Sequence, residues 1–143
     1  MEHIVIMKSE WKLIPKIIDG IKTVESRWYK SKIAPWGRVK VEDIIYFKDS
    51  GGLVSARAVV TKVEQYEIKN NLEAMQIMNR YALEDLGTKV LSDQIKNYIL
   101  NKKYAVFIHF GKVRKIAPFE INKKGFGTQC AWITVPSVDN IKK

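Results

Sequence analysis

The sequence predicts an α+β domain whose sheet curls into a small barrel, and three observations lead to this prediction. Short apolar segments rich in β-branched residues lie towards both ends of the chain, helical patterns lie between them, and turn residues separate the segments. A chain of 143 residues that is 46% hydrophobic is long enough to form one core. We therefore expect a single domain over residues 1–143.

The first part of the chain predicts two strands joined through a short helix. Residues 3–7 (HIVIM) form an apolar run typical of a buried strand. Pro15 has no backbone N–H to donate, so we expect the following helix to cover only residues 15–19. Gly20 closes this helix, and the β-branched residues that come next predict a strand over residues 22–28.

The middle of the chain predicts a hairpin. Residues 43–48 (DIIYFK) have the composition of a strand, and the Asp-Ser-Gly-Gly sequence at residues 49–52 is typical of a tight turn. The chain should then return over residues 53–63, which pairs two strands.

Two helices and three further strands complete the prediction. Asn70, with Glu73 three residues later, is typical of an N-cap and predicts a helix over residues 70–80. Ser92 in the same way predicts a helix over residues 92–101. Apolar runs then predict strands over residues 104–110, 113–119 and 129–135.

The charge of the chain favours a polyanionic partner. Its 25 Lys and Arg residues against 15 Asp and Glu give a net charge of +10, and residues 102–143 alone carry nine basic and two acidic residues. Nucleic acid is the commonest partner for such a surface, which leads us to expect RNA or a nucleoside or nucleotide. A lysine-rich surface that only confers solubility is the alternative.

Composition also argues against several classes of protein. No apolar run approaches the length of a membrane span, and the first residues do not resemble a signal peptide, so we expect a cytoplasmic protein with no membrane partner. Cys130 is the only cysteine, and with His3 and His109 it does not make a spaced metal-binding set. We expect no metal and no cofactor.

The strand predicted after Gly20 carries the candidate catalytic residues. Alternation places Glu25 and Arg27 on one face, whereas Lys22 lies on the other. Lys22 can anchor a phosphate, or donate a proton if burial lowers its pKa, Glu25 can act as a general base, and Arg27 can hold a planar anion. The alternative is a structural Glu25–Arg27 ion pair, which contributes at most about 1 kcal/mol where it is exposed.

The loop that follows, residues 29–40, has the composition of a ligand-binding segment. It contains no acidic residue and combines several cations with two aromatic side chains and a Pro-Trp-Gly turn. Cations bind phosphates and an aromatic ring stacks on a base. The candidate ligand-binding residues in and around the loop are Thr23, Trp28, Lys30, Lys32, Trp36 and Arg38.

The spacing Gly20-x-Lys22-x-x-Glu25-x-Arg27 resembles the G-x-K-x-x-E-x-R signature of the ASCH domain (activating signal cointegrator homology), in the PUA-like superfamily. The resemblance extends through DIIYFKDSGG and the helical middle to the closing K-I-A-P-F-E-I, G-F-G and A-W-I-T-V segments. It implies a PUA-like small mixed β-barrel with short helices at its ends. It also implies a basic cleft beside the motif that suits RNA or a modified nucleoside.

The resemblance leaves the activity open. Some ASCH-like proteins are hydrolases, among them a branch that removes the acetyl group of N4-acetylcytidine, and ribonuclease activity also occurs. In that amidohydrolase branch a threonine nucleophile stands where this chain has Glu25. The expectations are therefore a protein that binds RNA or a modified nucleoside, a metal-independent hydrolase acting on such a ligand, or a regulatory module that binds another protein.

Overall fold

The computed structural model describes residues 1–127 and 129–143, and six strands form one curled half-barrel sheet. In chain order the strands are β1 (Glu2–Met7), β2 (Val24–Tyr29), β3 (Ile44–Asp49), β4 (Val54–Glu67), β5 (Tyr104–Phe119) and β6 (Trp132–Val135). Their order across the sheet is β2-β5-β4-β3-β1-β6. The α+β prediction is confirmed.

Strand β1 lies between β3 and β6, so the two ends of the chain meet in the sheet. It runs parallel to β3, with Ile4 opposite Tyr46, and antiparallel to β6, with Ile4 opposite Ile133. The remaining neighbours pair antiparallel, and the predicted β3–β4 hairpin is present. Strand β2 forms the edge opposite β6.

Strand β5 corrects the prediction of two strands over residues 104–110 and 113–119. It is one strand that pairs with β2 through its first half and with β4 along its whole length. Gly111 and Lys112 do not end the strand. Lys112 adopts a φ of 50° and the register with β4 shifts nearby, so the chain forms an irregularity of the β-bulge type and then continues to pair. Such bulges bend a strand and increase its twist without ending its pairing.

Three α-helices of the described residues pack against the faces of this sheet. They are α1 (Leu13–Ile18), α2 (Asn71–Leu86) and α3 (Asp93–Ile99). Asn70 and Ser92 cap α2 and α3 as predicted, with the side chain of Asn70 accepting from the backbone N–H of Glu73 at 2.8 Å. Helix α1 starts earlier than predicted, because Pro15 lies in its first turn, where backbone N–H groups have no helical partner. A short 3₁₀ helix, Ser9–Trp11, precedes it.

Helix α2 runs six residues beyond the predicted end at residue 80 and stops at Gly87. Gly87 adopts a φ of 74°, and a Cβ at this position would lie 2.9 Å from the side chain of Ile21. Both facts require glycine. The extension brings Asp85, in the last turn of α2, against the start of β2.

The core divides between the two faces of the sheet. On one face α1 packs against residues such as Val5, Phe47 and Trp132, and on the other α2 and α3 cover Trp28 and Phe107. No helix among the described residues has both the length and the apolar composition required to cross a membrane.

Candidate functional site

A cavity of about 200 Å³ lies between β2, the 3₁₀ helix and the facing sides of α2 and α3. Most of its walls are apolar or aromatic, and they include Met7, Trp11, Leu13, Met78, Ile95 and Tyr98. Its polar lining comes from Lys8, Glu25, Ser26, Arg27, Tyr29 and Asp85. Two of the three predicted catalytic residues therefore line one cavity, and the third lies behind them.

Lys22 is that third residue, and its side chain is 0% exposed. Its ammonium group donates to the backbone carbonyls of Val24 at 2.6 Å and Asp85 at 2.7 Å. It also forms ion pairs with the carboxylates of Asp85 and of Glu25, the latter at 3.0 Å. The sequence had predicted that strand alternation would place Lys22 and Glu25 on opposite faces. Lys22 instead precedes β2, so alternation does not apply to it and its ammonium group reaches Glu25.

Arg27 lies beside Glu25 and joins the two edges of the curled sheet. Its Nη2 and Nε atoms donate to Oε2 of Glu25 at 2.9 and 3.1 Å. The same guanidinium donates to the backbone carbonyl of Ile6 at 3.0 Å and to that of Ala131 at 3.3 Å. Because Ile6 is in β1 and Ala131 precedes β6, Arg27 connects β2 at one edge to the strands at the other.

The two carboxylates at the cavity have opposite pKa shifts. Burial raises the pKa of Asp85, and the nearby Glu25 carboxylate adds to this, although Lys22 acts against it. Burial also favours neutral Glu25, but Lys22 and Arg27 outweigh it and hold the pKa of that carboxyl below its usual range. Asp85 is therefore a second carboxylate at the cavity whose environment favours proton uptake, and the general-base role of Glu25 stays a prediction.

Lys22 does not meet the condition for a proton donor. Burial acts to lower the pKa of its ammonium group, but the charges of Asp85 and Glu25 overcome this and raise the pKa. Lys22 therefore stays protonated and holds the two carboxylates in place. Its burial also separates it from any ligand in the cavity.

Three solved structures resemble this chain along almost its whole length. They are crystal structures of the ASCH protein of Zymomonas mobilis and of two single-substitution variants of it. The parent protein is 18% identical, with a TM-score of 0.67 over 97% of this chain and 90% of that one, and one variant is 19% identical over 97% and 91% at the same TM-score. The chain has the ASCH fold. Neither a protein-family model nor a curated protein matches the sequence.

Two residues that the sequence predicts to bind a ligand, Thr23 and Trp28, lie within and directly after the G-x-K-x-x-E-x-R segment of this ASCH fold. Thr23 is exposed and does not line the cavity. Trp28 is 1% exposed and packs against Phe107 at a ring-centroid distance of 5.7 Å, on the side covered by the helices. Its indole donates to the hydroxyl of Ser26 at 3.1 Å, so Trp28 positions a cavity residue from behind.

After Tyr29, which lines the cavity, the basic loop contributes no further residue to the lining. Trp36 stacks edge-on against Tyr104 at 5.1 Å, and the ammonium of Lys32 lies over both rings. Lys30 and Arg38 are exposed. None of these four predicted ligand-binding residues lines the cavity.

The charge distribution around the cavity of the ASCH fold has two parts. Inside, the two cations Lys22 and Arg27 are matched by two carboxylates. On the aromatic walls, the ammonium of Lys8 lies 4.9 Å from the ring of Trp11, and that of Lys102 lies 5.4 Å from the ring of Tyr98. Burial and then the charge of Lys30 lower the pKa of Lys102. Lys8 lines the cavity, and Lys102 lies over the ring of Tyr98, which also lines it.

The cavity residues that were not predicted from the sequence include Trp11, Ser26, Asp85 and Tyr98. Asp85 had a detectable signal, because it continues the buried stripe of α2 that contains Ala74, Met78 and Ala82. An acidic residue in an apolar stripe predicts a buried, partnered carboxylate. Trp11 and Tyr98 carried no such signal, since their rings meet only in the folded protein, 6.0 Å apart.

Proposed function

We propose that the protein binds RNA by taking the base of one unpaired nucleotide into the cavity. The observation that carries this proposal is the charged network of Glu25, Arg27 and Asp85 against an otherwise apolar cavity with aromatic walls. A few polar groups in an apolar pocket are the usual arrangement for orienting a small ligand. Buried ion pairs contribute little net stability over an apolar core, so their position at a cavity favours a functional role.

The size and the walls of the cavity suit one base. Its volume of about 200 Å³ is smaller than the roughly 300–1,000 Å³ typical of ligand pockets, which fits a single ring system. Trp11 and Tyr98 offer faces for stacking, which contributes about 1–3 kcal/mol per base. Proteins that read an extruded base use the same combination of aromatic walls and hydrogen bonds to the base edge.

Lysines near the cavity would bind the phosphate groups of the RNA backbone. Lys8 and Lys102 lie over the aromatic rings of Trp11 and Tyr98, where the phosphates that flank a bound base would pass. The net charge of +10 adds long-range attraction for a polyanion. The expected basic cleft is therefore proposed as a basic rim around a charge-balanced cavity.

A salt titration of single-stranded RNA binding tests the proposal. If about four phosphates are neutralised, the logarithm of affinity should fall with the logarithm of salt concentration at a slope near −3. Lys102→Ala should reduce the slope by about 0.7, whereas Lys143→Ala, at an exposed lysine that does not line the cavity and pairs with Glu120, should leave it unchanged. Absence of RNA binding at low salt would overturn the proposal and favour a module that binds protein.

A second candidate function is metal-independent hydrolysis of the bound ligand, and one contact favours it. The hydroxyl of Ser26 donates to Oδ2 of Asp85, the carboxylate whose pKa is raised by burial. A carboxylate of this kind can accept the proton of that hydroxyl, or of a water molecule, as the oxygen attacks.

Turnover assays in the presence of a chelator test this second function. Single-stranded RNA and N4-acetylcytidine are the substrates to compare, and Asp85→Asn should reduce turnover of the accepted one by about 10² to 10⁴ while binding persists. Asp93→Asn, at the exposed start of α3, is the matched control. Equal turnover by the parent protein and Asp85→Asn would rule out this mechanism.

A further inference from the structure

A second cavity adjoins the first across the side chain of Trp11. It has a volume of about 160 Å³ and lies between α1 and the segment that joins α2 to α3. Four side chains line both cavities: Trp11, Leu13, Leu86 and Ile95. The two cavities are therefore neighbours that share one apolar partition.

From this continuity we infer that the second cavity is a subsite for the nucleotide next to the one held in the first. The preferred ligand is then an RNA strand of at least two nucleotides, and a free nucleoside fills only half of the site. The inference rests on the proposed function and adds the extent of the ligand to it.

The indole N–H of Trp11 supports a ligand that spans the partition. Its Nε1 atom is buried and has no hydrogen-bond partner within residues 1–127 and 129–143. Buried donors nearly always have an acceptor in the folded protein or in a bound molecule. Because Trp11 lines both cavities, a ligand that spans them lies against this residue, and a small shift of its ring would bring the unpartnered N–H to a phosphate or ribose oxygen.

The lining of the second cavity suits a base and its phosphate. Val90 is 77% exposed and offers apolar surface to a ring, and the amide of Gln94 carries both a donor and an acceptor for a base edge. Lys16 lines this cavity as Lys8 lines the first, so each cavity has a lysine in its lining. An RNA backbone that crosses both would meet a positive charge at each step.

Calorimetric titration with matched probes tests the inference. The probes are the four nucleoside 3′-monophosphates and the corresponding dinucleoside monophosphates, whose first sugar is 2′-deoxy so that its own hydroxyl cannot cleave the linkage. Both kinds of probe carry one phosphate, and the terminal monoester bears the greater negative charge, so tighter binding of the dinucleotide would come from its second nucleoside and not from charge. We expect the best dinucleotide to bind about tenfold or more tightly than its mononucleotide, a factor equal to about 1.4 kcal/mol.

Two double variants locate the gain. Val90→Ala with Gln94→Ala should remove most of the tenfold difference and leave mononucleotide affinity unchanged. Leu72→Ala with Gln76→Ala likewise shortens one apolar side chain and removes one side-chain amide, at exposed positions of α2 outside both cavities, and should alter neither affinity.

The outcomes separate this inference from the proposed function. Mononucleotide binding with no gain for any dinucleotide would overturn the subsite and leave the proposed function standing. The same would follow if the Val90 and Gln94 changes weakened both kinds of probe equally. Failure of every nucleotide and of longer single-stranded RNA to bind would overturn both.

Discussion

The ammonium group of Lys22 bonds both the backbone carbonyl and the side-chain carboxylate of Asp85, 63 residues further along the chain. This pair ties the start of β2 to the last turn of α2. It also sets the charge of the cavity, since Lys22 is the cation shared by Asp85 and Glu25. The packing of the fold and the charge of the cavity therefore depend on the same residues.

Lys22→Met should destabilise the protein by about 3–5 kcal/mol at pH 7, because it leaves the buried carboxylate of Asp85 without a cation. The loss should be smaller at pH 5, since protonation of Asp85 removes the unpaired charge. Urea unfolding at both pH values measures this. Lys30→Met changes an exposed lysine in the same way and should cost no more than about 0.5 kcal/mol. Equal effects of the two substitutions would contradict the role given to Lys22.

Arg27→Lys should cost about 2 kcal/mol or more, although the charge is kept. A lysine ammonium cannot reach Glu25 and the carbonyls of Ile6 and Ala131 together, and each hydrogen bond with a charged group contributes about 1.5–3 kcal/mol. Arg38→Lys, at an exposed position, is the control. Denaturant unfolding curves that coincide for the two variants would show that the guanidinium does not hold the sheet edges together.

His3 should make the protein less stable in mild acid. Burial lowers the pKa of its imidazole despite the Asp43 carboxylate at 2.8 Å, and the Trp132 indole donates to Nδ1 at 3.1 Å, which requires that nitrogen to be unprotonated. The unfolded chain protonates near a pH of about 6.5 and the folded protein only below that. The free energy of unfolding should therefore fall as pH decreases from about 6.5 through the lower folded value.

The variant His3→Gln provides the comparison for that pH dependence. It should be less stable than the parent protein at pH 7.5, because it loses the contacts with Asp43 and Trp132, but its stability should change less between pH 7.5 and pH 5. Thermal melts across this range measure both effects. A parent protein that is equally or more stable at pH 5 would show that His3 is charged in the fold.

Trp11→Phe should weaken RNA binding without loss of stability. The change keeps a stacking ring but removes the buried N–H, and the fold does not lose a hydrogen bond among its described residues. Trp36→Phe makes the same change outside the cavity and should leave affinity unchanged, in contrast to the sequence prediction that Trp36 contacts the ligand. Fluorescence anisotropy with labelled RNA distinguishes these results.

The local elements could be predicted from the sequence wherever one residue sets the geometry. Asn70 and Ser92 were identified as caps, and the β3–β4 hairpin followed from its glycine turn. The continuous strand β5 could not be predicted, because Gly111 reads as a break unless the pairing with β4 is known. The hydrogen-bonded pairing with β4 overrides the low strand propensity of glycine at this position.

Only part of the candidate site could be predicted, because tertiary packing again decides the rest. Glu25 and Arg27 could be paired by alternation, since both belong to one strand. Asp85, Trp11 and Tyr98 come from separate helical segments, and only the tertiary packing brings them to the same cavity. Composition correctly showed an excess of cations, but Lys32 and Arg38 do not line the cavity.

The position of β1 between β3 and β6 has a consequence for biosynthesis. One edge of β1 lacks its partner until residue 135 has left the ribosome, and Arg27 lacks the carbonyl of Ala131 until then. Nascent chains therefore expose an open strand edge until the β6 segment emerges, which is the feature that chaperones protect and that aggregation exploits. A chain interrupted before residue 132 would keep this edge of β1 open.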